Sequence, residues 1–389
     1  MKKVILLFIC LLLCGCEDYA ELNKLSLVTA AGIDKKDNQY EVTLLIANSP
    51  KADAAAKEGE AKTTIYKGKG KTVTNAIKEI ERKTPKQLYF SHINVVVISE
   101  EIGKEGFLKI ADLLMRHPQT RNRFYLMQVN NNKASNVLKI ISPLESFPSQ
   151  SIATLIESNK NSRSIGDTAS YSNFIGRILE TGYEPIMPTI KINGDAKEGA
   201  KQENLETSEP KTYLSLGQLA IYKKDKLINT TTQKETEMIQ IINNEAKELI
   251  YNLKYKDNSL SIFSNNLKTK IKLTSKNTAN IYIKGNGTIY EINGKINLNN
   301  IRNIKKLEKK WNKNLKKDIE KTIDKIKNEY KSDIFGFGNM IYKNYPQTWK
   351  KIKNNWNDKY FKNFKIKINI KTKIISTGSL TKTLQEDAK

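Results

Sequence analysis

Cysteine is absent from this chain of 389 residues after its first sixteen positions, where Cys10, Cys14 and Cys16 lie. The rest of the protein therefore contains neither a disulfide nor a thiolate metal site. Histidine is almost as scarce, since only His92 and His117 are present, which excludes a metal centre built from several histidines. Each histidine adjoins a predicted element boundary, so a local structural role is favoured over catalysis.

Long apolar runs and nucleotide-binding motifs are also missing. After the first fifteen residues, no stretch approaches the roughly 20 apolar residues that a membrane-spanning helix needs. No GxGxxG or GxSxG motif occurs. The segment Gly70-Lys71-Thr72 lacks the earlier glycine of a phosphate-binding loop, because Ile65 stands there. We therefore predict no catalytic residue, no metal and no cofactor.

Positive charge is concentrated in the C-terminal part of the chain. The whole sequence has 66 Lys and Arg against 41 Asp and Glu. From Tyr251 to Lys389 there are 32 basic and 11 acidic residues, a net charge of +21, whereas the first 250 residues carry 34 and 30. This asymmetry predicts an anionic neighbour for the basic part, such as lipid headgroups. The alternative is a chain rich in Lys, Asn and Ile because its gene is AT-rich.

The N-terminus has the pattern of an export signal. Residues 1–3 supply positive charge and residues 4–13 are uncharged and apolar, but too short to span a bilayer. The sequence Leu13-Cys14-Gly15-Cys16 resembles a bacterial lipobox. That resemblance implies a signal peptide over residues 1–15, cleavage after Gly15, and S-diacylglyceryl and N-acyl groups, such as palmitate, on Cys16. The alternative is an ordinary signal peptide with incidental cysteines.

Helical and strand patterns alternate in the front half. Apolar segments predict strands over Leu25–Asp34 and Tyr40–Asn48, a helix over Thr72–Arg82 and a buried strand at Val95–Ile98. The residues from Gly194 to Pro210 are polar and acidic, which predicts a linker over 196–210.

The back half begins with a predicted hairpin, Leu216–Lys223 and Lys226–Thr231, followed by a helix near Glu235–Leu249. Strand patterns then cover Leu267–Leu273 and Ile281–Ile292.

The clearest pattern is a long amphipathic helix from Ile304 to Tyr330, whose apolar residues recur every three or four positions. A second helix is predicted over Asn339–Lys359, interrupted near Pro346. Strict alternation then predicts a half-exposed strand over Phe364–Ile374. The fold class is therefore mixed α/β (α+β), with several domains of mixed sheets packed with helices.

Aromatic residues in the basic region raise the question of nucleic acid. Trp311, Trp349 and Trp356 fall on the apolar faces of the predicted helices, so core packing is favoured over stacking on bases. An exported protein also has little access to nucleic acid, and we predict none as a partner.

Several segments, in this order, carry a family resemblance: Cys16–Leu22, Val28–Asp34, Tyr89–His92, Arg116–Pro118, Gly217–Leu227, Asp333–Gly338, Tyr345-Pro346, Trp349 and Asn355-Trp356. Together they resemble the Ger(x)C spore germination lipoproteins, the C subunits of nutrient germinant receptors. One departure is Glu17, because the family usually has Trp directly after the lipid-bearing cysteine.

The resemblance implies a non-enzymatic receptor subunit, lipid-anchored at the outer face of the spore's inner membrane. It also implies two integral membrane partners, an A-type and a B-type subunit, and domains over residues 16–195 and 211–382, the second one domain or two subdomains. Two alternatives stay open: a lipoprotein hydrolase of spore cortex peptidoglycan, and a solute-binding lipoprotein. The nutrient and the partner-contacting surface are not indicated.

Overall fold

The computed structural model describes residues 22–48, 61–145, 147–160, 167–246 and 248–377. Within them, the chain forms two β-sheets, each packed with helices, as the mixed α/β prediction requires. No helix of the described residues is long and apolar enough to cross a membrane.

The first sheet has nine strands in the order β3-β2-β1-β5-β6-β7-β8-β9, with the short β4 also paired to β1. Their bounds are β1 Leu25–Lys36, β2 Gln39–Ala47, β3 Thr63–Gly70, β4 Gln87–Tyr89, β5 Val95–Ser99, β6 Tyr125–Val129, β7 Ile186–Asn193, β8 Tyr213–Lys223 and β9 Lys226–Thr230. The central strands β1, β5, β6 and β7 are parallel, and the flanking strands pair antiparallel. Asp37 and Asn38 turn β1 into β2 with positive φ angles of 50° and 59°.

Helices cover both faces of this sheet. They are α1 Val73–Glu81, α2 Glu100–Glu105, α3 Leu108–Arg116, α4 Ala134–Val137, α5 Pro148–Ser158 and α6 Tyr171–Leu179. In β5, Val96 and Ile98 pack on the side of α1, α3 and α6, whereas Val95 and Val97 pack on the side of α4 and α5. A strand buried on both faces reads as a continuous apolar run, so the buried strand predicted there is confirmed.

The second sheet has five strands in the order β10-β11-β13-β12, with β14 parallel to β13. Helix α7, Gln233–Ile242, precedes the strands β10 Leu249–Tyr255, β11 Asn258–Ser264, β12 Lys268–Ser275, β13 Thr278–Asn293 and β14 Lys365–Ser376. The predicted strands over 267–273, 281–292 and 364–374 are confirmed as β12, β13 and β14. The predicted helix near 235–249 is shorter, because α7 ends at Ile242 before Asn244, which has a positive φ of 58°, and β10 begins at Leu249.

The long helix is confirmed as α8, Ile301–Lys325, continued by a π-helical turn over Ile326–Tyr330. Its buried stripe packs on the inner face of the second sheet and consists of Leu307, Trp311, Leu315, Ile319 and Ile323. Two shorter helices follow, α9 Phe337–Asn344 and α10 Pro346–Ile352, which confirms the predicted break at Pro346.

The polar segment predicted as a linker contains two short 3₁₀ turns, Glu198–Ala200 and Gln202–Asn204. Beyond it, β8 pairs antiparallel with β7 and β9 pairs with β8, so the first sheet continues across this segment. The predicted hairpin is confirmed as β8 and β9 around Lys224, which has a φ of 57°. The division into domains at residues 196–210 stays a prediction.

Close packing of β13 on α8 requires a glycine, which gives a stability test. A Cβ on Gly287 would lie 2.6 Å from Ile262 Cγ2 and 2.8 Å from Trp311 Cη2. We expect Gly287→Ala to lower the free energy of unfolding by about 1–3 kcal/mol through overpacking. The matched control is Gly176→Ala in α6, where a Cβ meets nothing within 4 Å. It should raise stability by about 0.5–1 kcal/mol. Urea denaturation measures both, and equal effects of the two substitutions would contradict the packing of α8 described above.

Candidate functional site at the junction of the two sheets

The predicted lipidation residue, Cys16, lies outside the described residues, so its modification stays a prediction. A set of buried polar groups lies where the two sheets meet. It is built around Asp333, in the segment that connects the π-helical turn to α9.

The Asp333 carboxylate organises this segment by accepting four hydrogen bonds. The backbone N–H of Gly338 donates to Oδ2 at 2.7 Å, and the Trp356 indole Nε1 donates to the same oxygen at 2.9 Å. The backbone N–H groups of Phe335 and Phe337 donate to Oδ1, both at 3.3 Å. The carboxylate therefore supplies hydrogen-bond acceptors for backbone N–H groups that would otherwise be buried without a partner.

The ionisation of Asp333 follows from these contacts. Burial raises the pKa of the carboxyl to about 6, while the hydrogen bonds from Gly338, Trp356, Phe337 and Phe335 lower it. All four contacts are donated to the carboxylate, so the anion is the form that this environment satisfies. The side chain is fully buried, without an open face for a substrate.

The backbone around Asp333 forms hydrogen bonds with the segment that leads into β7 of the first sheet. The N–H of Asn339 donates to the carbonyl of Gly182 at 2.9 Å. The N–H of Glu184 donates to the carbonyl of Asp333 at 3.0 Å. Gly182 and Glu184 lie just before β7, so these two bonds connect the entrance of a first-sheet strand to the start of α9.

Side chains strengthen the same junction. The Glu184 carboxylate accepts from Asn357 Nδ2 at 2.5 Å and also from the backbone N–H of Lys224, in the β8–β9 turn. The Ser332 hydroxyl donates to the carbonyl of Tyr222 at 2.5 Å. Contacts from the C-terminal segment therefore reach both β7 and the β8–β9 hairpin.

Glycine is required where the backbones approach most closely. Gly182 has a φ of +73°, and a Cβ there would lie 2.6 Å from the carbonyl carbon of Gly338. A Cβ on Gly338 would lie 2.7 Å from the indole nitrogen of Trp356. Neither position can hold a side chain without moving the junction apart.

The three tryptophans are core residues, as predicted. Trp311 is fully buried, and Trp349 and Trp356 are 5% and 3% exposed. The rings of Trp349 and Trp356 meet edge to face with centroids 5.6 Å apart, and Phe364 lies 5.7 Å from Trp356. This aromatic cluster surrounds Asp333 and leaves no tryptophan face open for stacking on a base.

A buried ion pair lies beside the junction. Arg177 Nη2 of α6 is 2.8 Å from Glu245 Oε1, just after α7, and the two side chains are 5% and 15% exposed. The Thr168 hydroxyl donates to Glu245 at 2.8 Å, and the guanidinium lies 4.7 Å from the Tyr183 ring centroid. Burial raises the pKa of Glu245, and Arg177 opposes that shift. The pair joins a helix of the first sheet to the segment that leads into the second.

The N-terminal motif also contains a structural carboxylate. Asp34, at the end of β1, is 2% exposed and accepts from the backbone N–H groups of Ala134 at 2.7 Å and Ser135 at 3.0 Å. It therefore caps the short helix α4. Burial raises the pKa of Asp34, and the two backbone bonds lower it.

The histidines take local roles. His92 is exposed, with its ring 5.7 Å from Tyr89, and His117 ends α3 with its ring edge-on to Phe90 at 4.9 Å. Burial lowers the pKa of His117. Among the described residues, no group of three or more His, Cys, Asp or Glu is placed to hold a metal ion.

Sequence reasoning placed the motif residues Asp34 and Asp333 in the right segments but did not assign their contacts. It missed Arg177 and Glu245 entirely. The available signal was an ionisable residue inside an otherwise apolar or glycine-rich segment, as in Asp333–Gly338. Which backbone groups each carboxylate binds depends on long-range packing that no local pattern contains.

The contacts at the junction predict that a small change in the Asp333 side chain causes a large loss of stability. We expect Asp333→Asn to lower the free energy of unfolding by about 2–4 kcal/mol, because the amide can accept at one oxygen only and turns its own N–H groups toward buried donors. The matched control is Asp358→Asn, which removes a 59% exposed carboxylate paired with Lys223 across the same junction. That change should cost no more than about 1 kcal/mol. Urea denaturation at pH 7.5 measures both, and a tolerated Asp333→Asn would contradict the role assigned to the carboxylate.

Two family models match consecutive segments of this chain. Residues 18–192 match the family model of the spore germination protein N-terminal domain, and residues 217–378 match the spore germination B3/GerAC-like C-terminal domain. The chain is 27% identical to spore germination protein KC of Bacillus subtilis (strain 168), over 97% of this chain and 96% of that protein. It is 28% identical to spore germination protein A3 of the same organism, over 94% of each.

The fold has a solved counterpart. The crystal structure of the GerBC protein aligns with a TM-score of 0.53, at 18% sequence identity, over 92% of this chain and 100% of that chain. At this identity the likeness shows the fold alone. The two family models, in the same order and together covering most of the sequence, show that the chain belongs to the Ger(x)C family of spore germination proteins.

Proposed function

We propose that this protein is the non-enzymatic, lipid-tethered subunit of a nutrient germinant receptor, working with an A-type and a B-type integral membrane subunit. The observation that carries the proposal is the match of both family domains, in order, over residues 18–192 and 217–378. In this role the protein is required for the spore to respond to nutrients.

The tether is the lipid on Cys16, after cleavage behind Gly15. One acyl chain holds a protein only marginally at a membrane, whereas two or more hold it stably. The lipid confines the folded body to the exported side, at the outer face of the spore's inner membrane. Confinement raises its effective concentration for membrane-embedded partners without any new contact.

The buried charges support a scaffolding role over an enzymatic one. Asp333 accepts only backbone and indole hydrogen bonds, and Arg177 pairs with Glu245 inside the protein. A catalytic carboxylate needs access to a substrate and a pKa matched to its task. These groups are instead used to hold segments together, as expected of a subunit that transmits contact between partners.

The proposed domains cover 16–195 and 211–382, with a connecting segment over 196–210, and the family matches over 18–192 and 217–378 support this division. The junction around Asp333 makes the two domains one mechanical unit. A force or displacement applied to the segment around Asp333 would therefore reach β7 in the first domain and, through the β8–β9 hairpin, the other end of the first sheet.

A genetic experiment tests both the receptor role and the tether. The gene is deleted in its spore-forming host and the strain is complemented with the wild type, Cys16→Ala or the matched control Cys14→Ala. The time that the spores take to germinate is measured with nutrients and, separately, with a trigger that bypasses the receptors. Deletion should abolish the nutrient response alone, the wild type and Cys14→Ala should restore it, and Cys16→Ala should leave the membrane fraction and germinate poorly.

Two results would contradict the proposal. If the deleted strain failed to germinate under both triggers, the defect would lie downstream of the receptors, which would favour a role in cortex hydrolysis. If the Cys16→Ala protein stayed in the membrane fraction and its spores germinated normally, the lipid tether would be disproved, while the receptor role would not be affected.

A further inference from the structure

The outer face of the second sheet carries a dense grid of lysines. The apolar stripe of α8 packs on the inner face of this sheet, and the opposite side chains of β12, β13 and β14 point away from that core. Eight of those positions are exposed lysines: Lys268, Lys270, Lys272, Lys284, Lys365, Lys367, Lys371 and Lys373.

Strand register places these lysines next to one another. Lys268 pairs with Lys284, and Lys284 pairs with Lys371, so three lysines form one row across three strands. In the next rows, Tyr282 and Asn280 of β13 lie between exposed lysines or polar residues of β12 and β14. With a rise of about 3.3 Å per residue, the lysines of β14 span roughly 26 Å along the sheet.

This arrangement is unfavourable for the isolated fold. Like charges directly opposite in a sheet repel, and their spacing is well inside the Debye length of about 10 Å at 0.1 M salt. Strands β12 and β14 contain no Asp or Glu, and the one acid of β13, Glu291, lies at the far end opposite Ser261. None of the eight lysines has an ion pair or side-chain hydrogen bond within the described part of the chain. An external anion close to this face would therefore relieve the repulsion.

Exposed apolar groups lie on the same side of the sheet. Ile250 of β10 is 59% exposed and is paired with Phe263, whose ring stacks on the 64% exposed Tyr290 at 4.7 Å. Aromatic side chains with a polar tip are favoured at the level of lipid headgroups. The grid thus combines a flat, positively charged area with an amphipathic edge.

The chemistry distinguishes between anionic partners. From Tyr251 to Lys389 the only arginine is Arg302, which lies in α8. Nucleic-acid readers rely on the bidentate fork of arginine and on open aromatic faces in a groove, whereas lysine acts as a hydrated point charge. A second copy of the same face would be repelled by it. A flat surface of diffuse negative charge fits best.

We propose that the outer face of β12, β13 and β14 is a docking surface for anionic phospholipid, so that the protein meets the membrane through this face as well as through its anchor. The inference deepens the proposed function, because it sets the orientation of the tethered body. Headgroup phosphates occupy the space above the Lys268–Lys284–Lys371 row, and Tyr290 and Ile250 enter the interface at the edge.

The test uses the mature chain, residues 16–389 with Cys16→Ala, so that no lipid anchor contributes. Its binding to vesicles of phosphatidylcholine with and without phosphatidylglycerol is measured by co-sedimentation. A triple variant carries Lys268→Gln, Lys284→Gln and Lys371→Gln. The matched control carries Lys306→Gln, Lys313→Gln and Lys317→Gln, three exposed lysines of α8, with the same change of net charge.

We expect binding only to the vesicles that contain phosphatidylglycerol, lost when salt is raised from about 0.1 M to about 1 M. Each lysine near an anionic surface contributes a factor of about five to the binding constant, so the triple variant should bind at least tenfold more weakly. The control on α8 should change binding by less than threefold. Because the substituted positions are exposed and mutually repulsive, the triple variant should be at least as resistant to urea as the wild type.

Equal losses in the two variants would mean that net charge alone attracts the protein, and would overturn the proposal. Binding that is indifferent to phosphatidylglycerol would do the same. If a single-stranded DNA probe bound more strongly than the vesicles at the same lysines, the partner of this face would be nucleic acid and not lipid. Since this assay involves neither anchor nor receptor partners, its failure leaves the proposed receptor role intact.

Discussion

A buried carboxylate, that of Asp333, lies at the centre of the contacts that join the two sheets of this protein. Asp333 accepts two backbone bonds at 3.3 Å, a third at 2.7 Å and the Trp356 indole at 2.9 Å, and so fixes the turn that begins α9. That turn contacts Gly182 at the entrance of β7. An ionised group in this position is costly to bury, and its cost is offset only while all four donors remain in place. The position of the first sheet relative to the second therefore depends on this carboxylate together with the contacts of Glu184, Ser332 and the Arg177–Glu245 pair.

The second sheet has an opposite character on its two faces. Its inner face is apolar and is covered by α8, which gives the sheet its stability. Its outer face concentrates lysines that repel one another, which contributes nothing favourable to folding. A fold that tolerates such a face beside a well-packed core is consistent with a surface selected for binding. The junction would then hold the first sheet at a fixed height above whatever the lysines contact.

Local patterns predicted much of this fold. Apolar residues recur every three or four positions in α8 and every second position in β14. These patterns were sufficient to predict the two elements, because each has one buried and one exposed face. Strands β3, β7 and β11 and helices α5 and α6 were not anticipated, since their apolar residues are interrupted by polar ones or are too few to show a period. The continuation of the first sheet into β8 and β9 was also missed. Sheet membership is decided by long-range pairing, which a polar segment such as residues 196–210 does not reveal.

We expect the junction to make the two sheets one cooperative unit. Hydrogen exchange of peptides from Thr278–Asn293 reports the second sheet. Hydrogen exchange of peptides from Val95–Ser99 reports the first sheet. In a urea titration, the two probes should share one midpoint in the wild type and separate in Asp333→Asn. Separate midpoints in the wild-type chain would show that the halves unfold independently and would contradict this expectation.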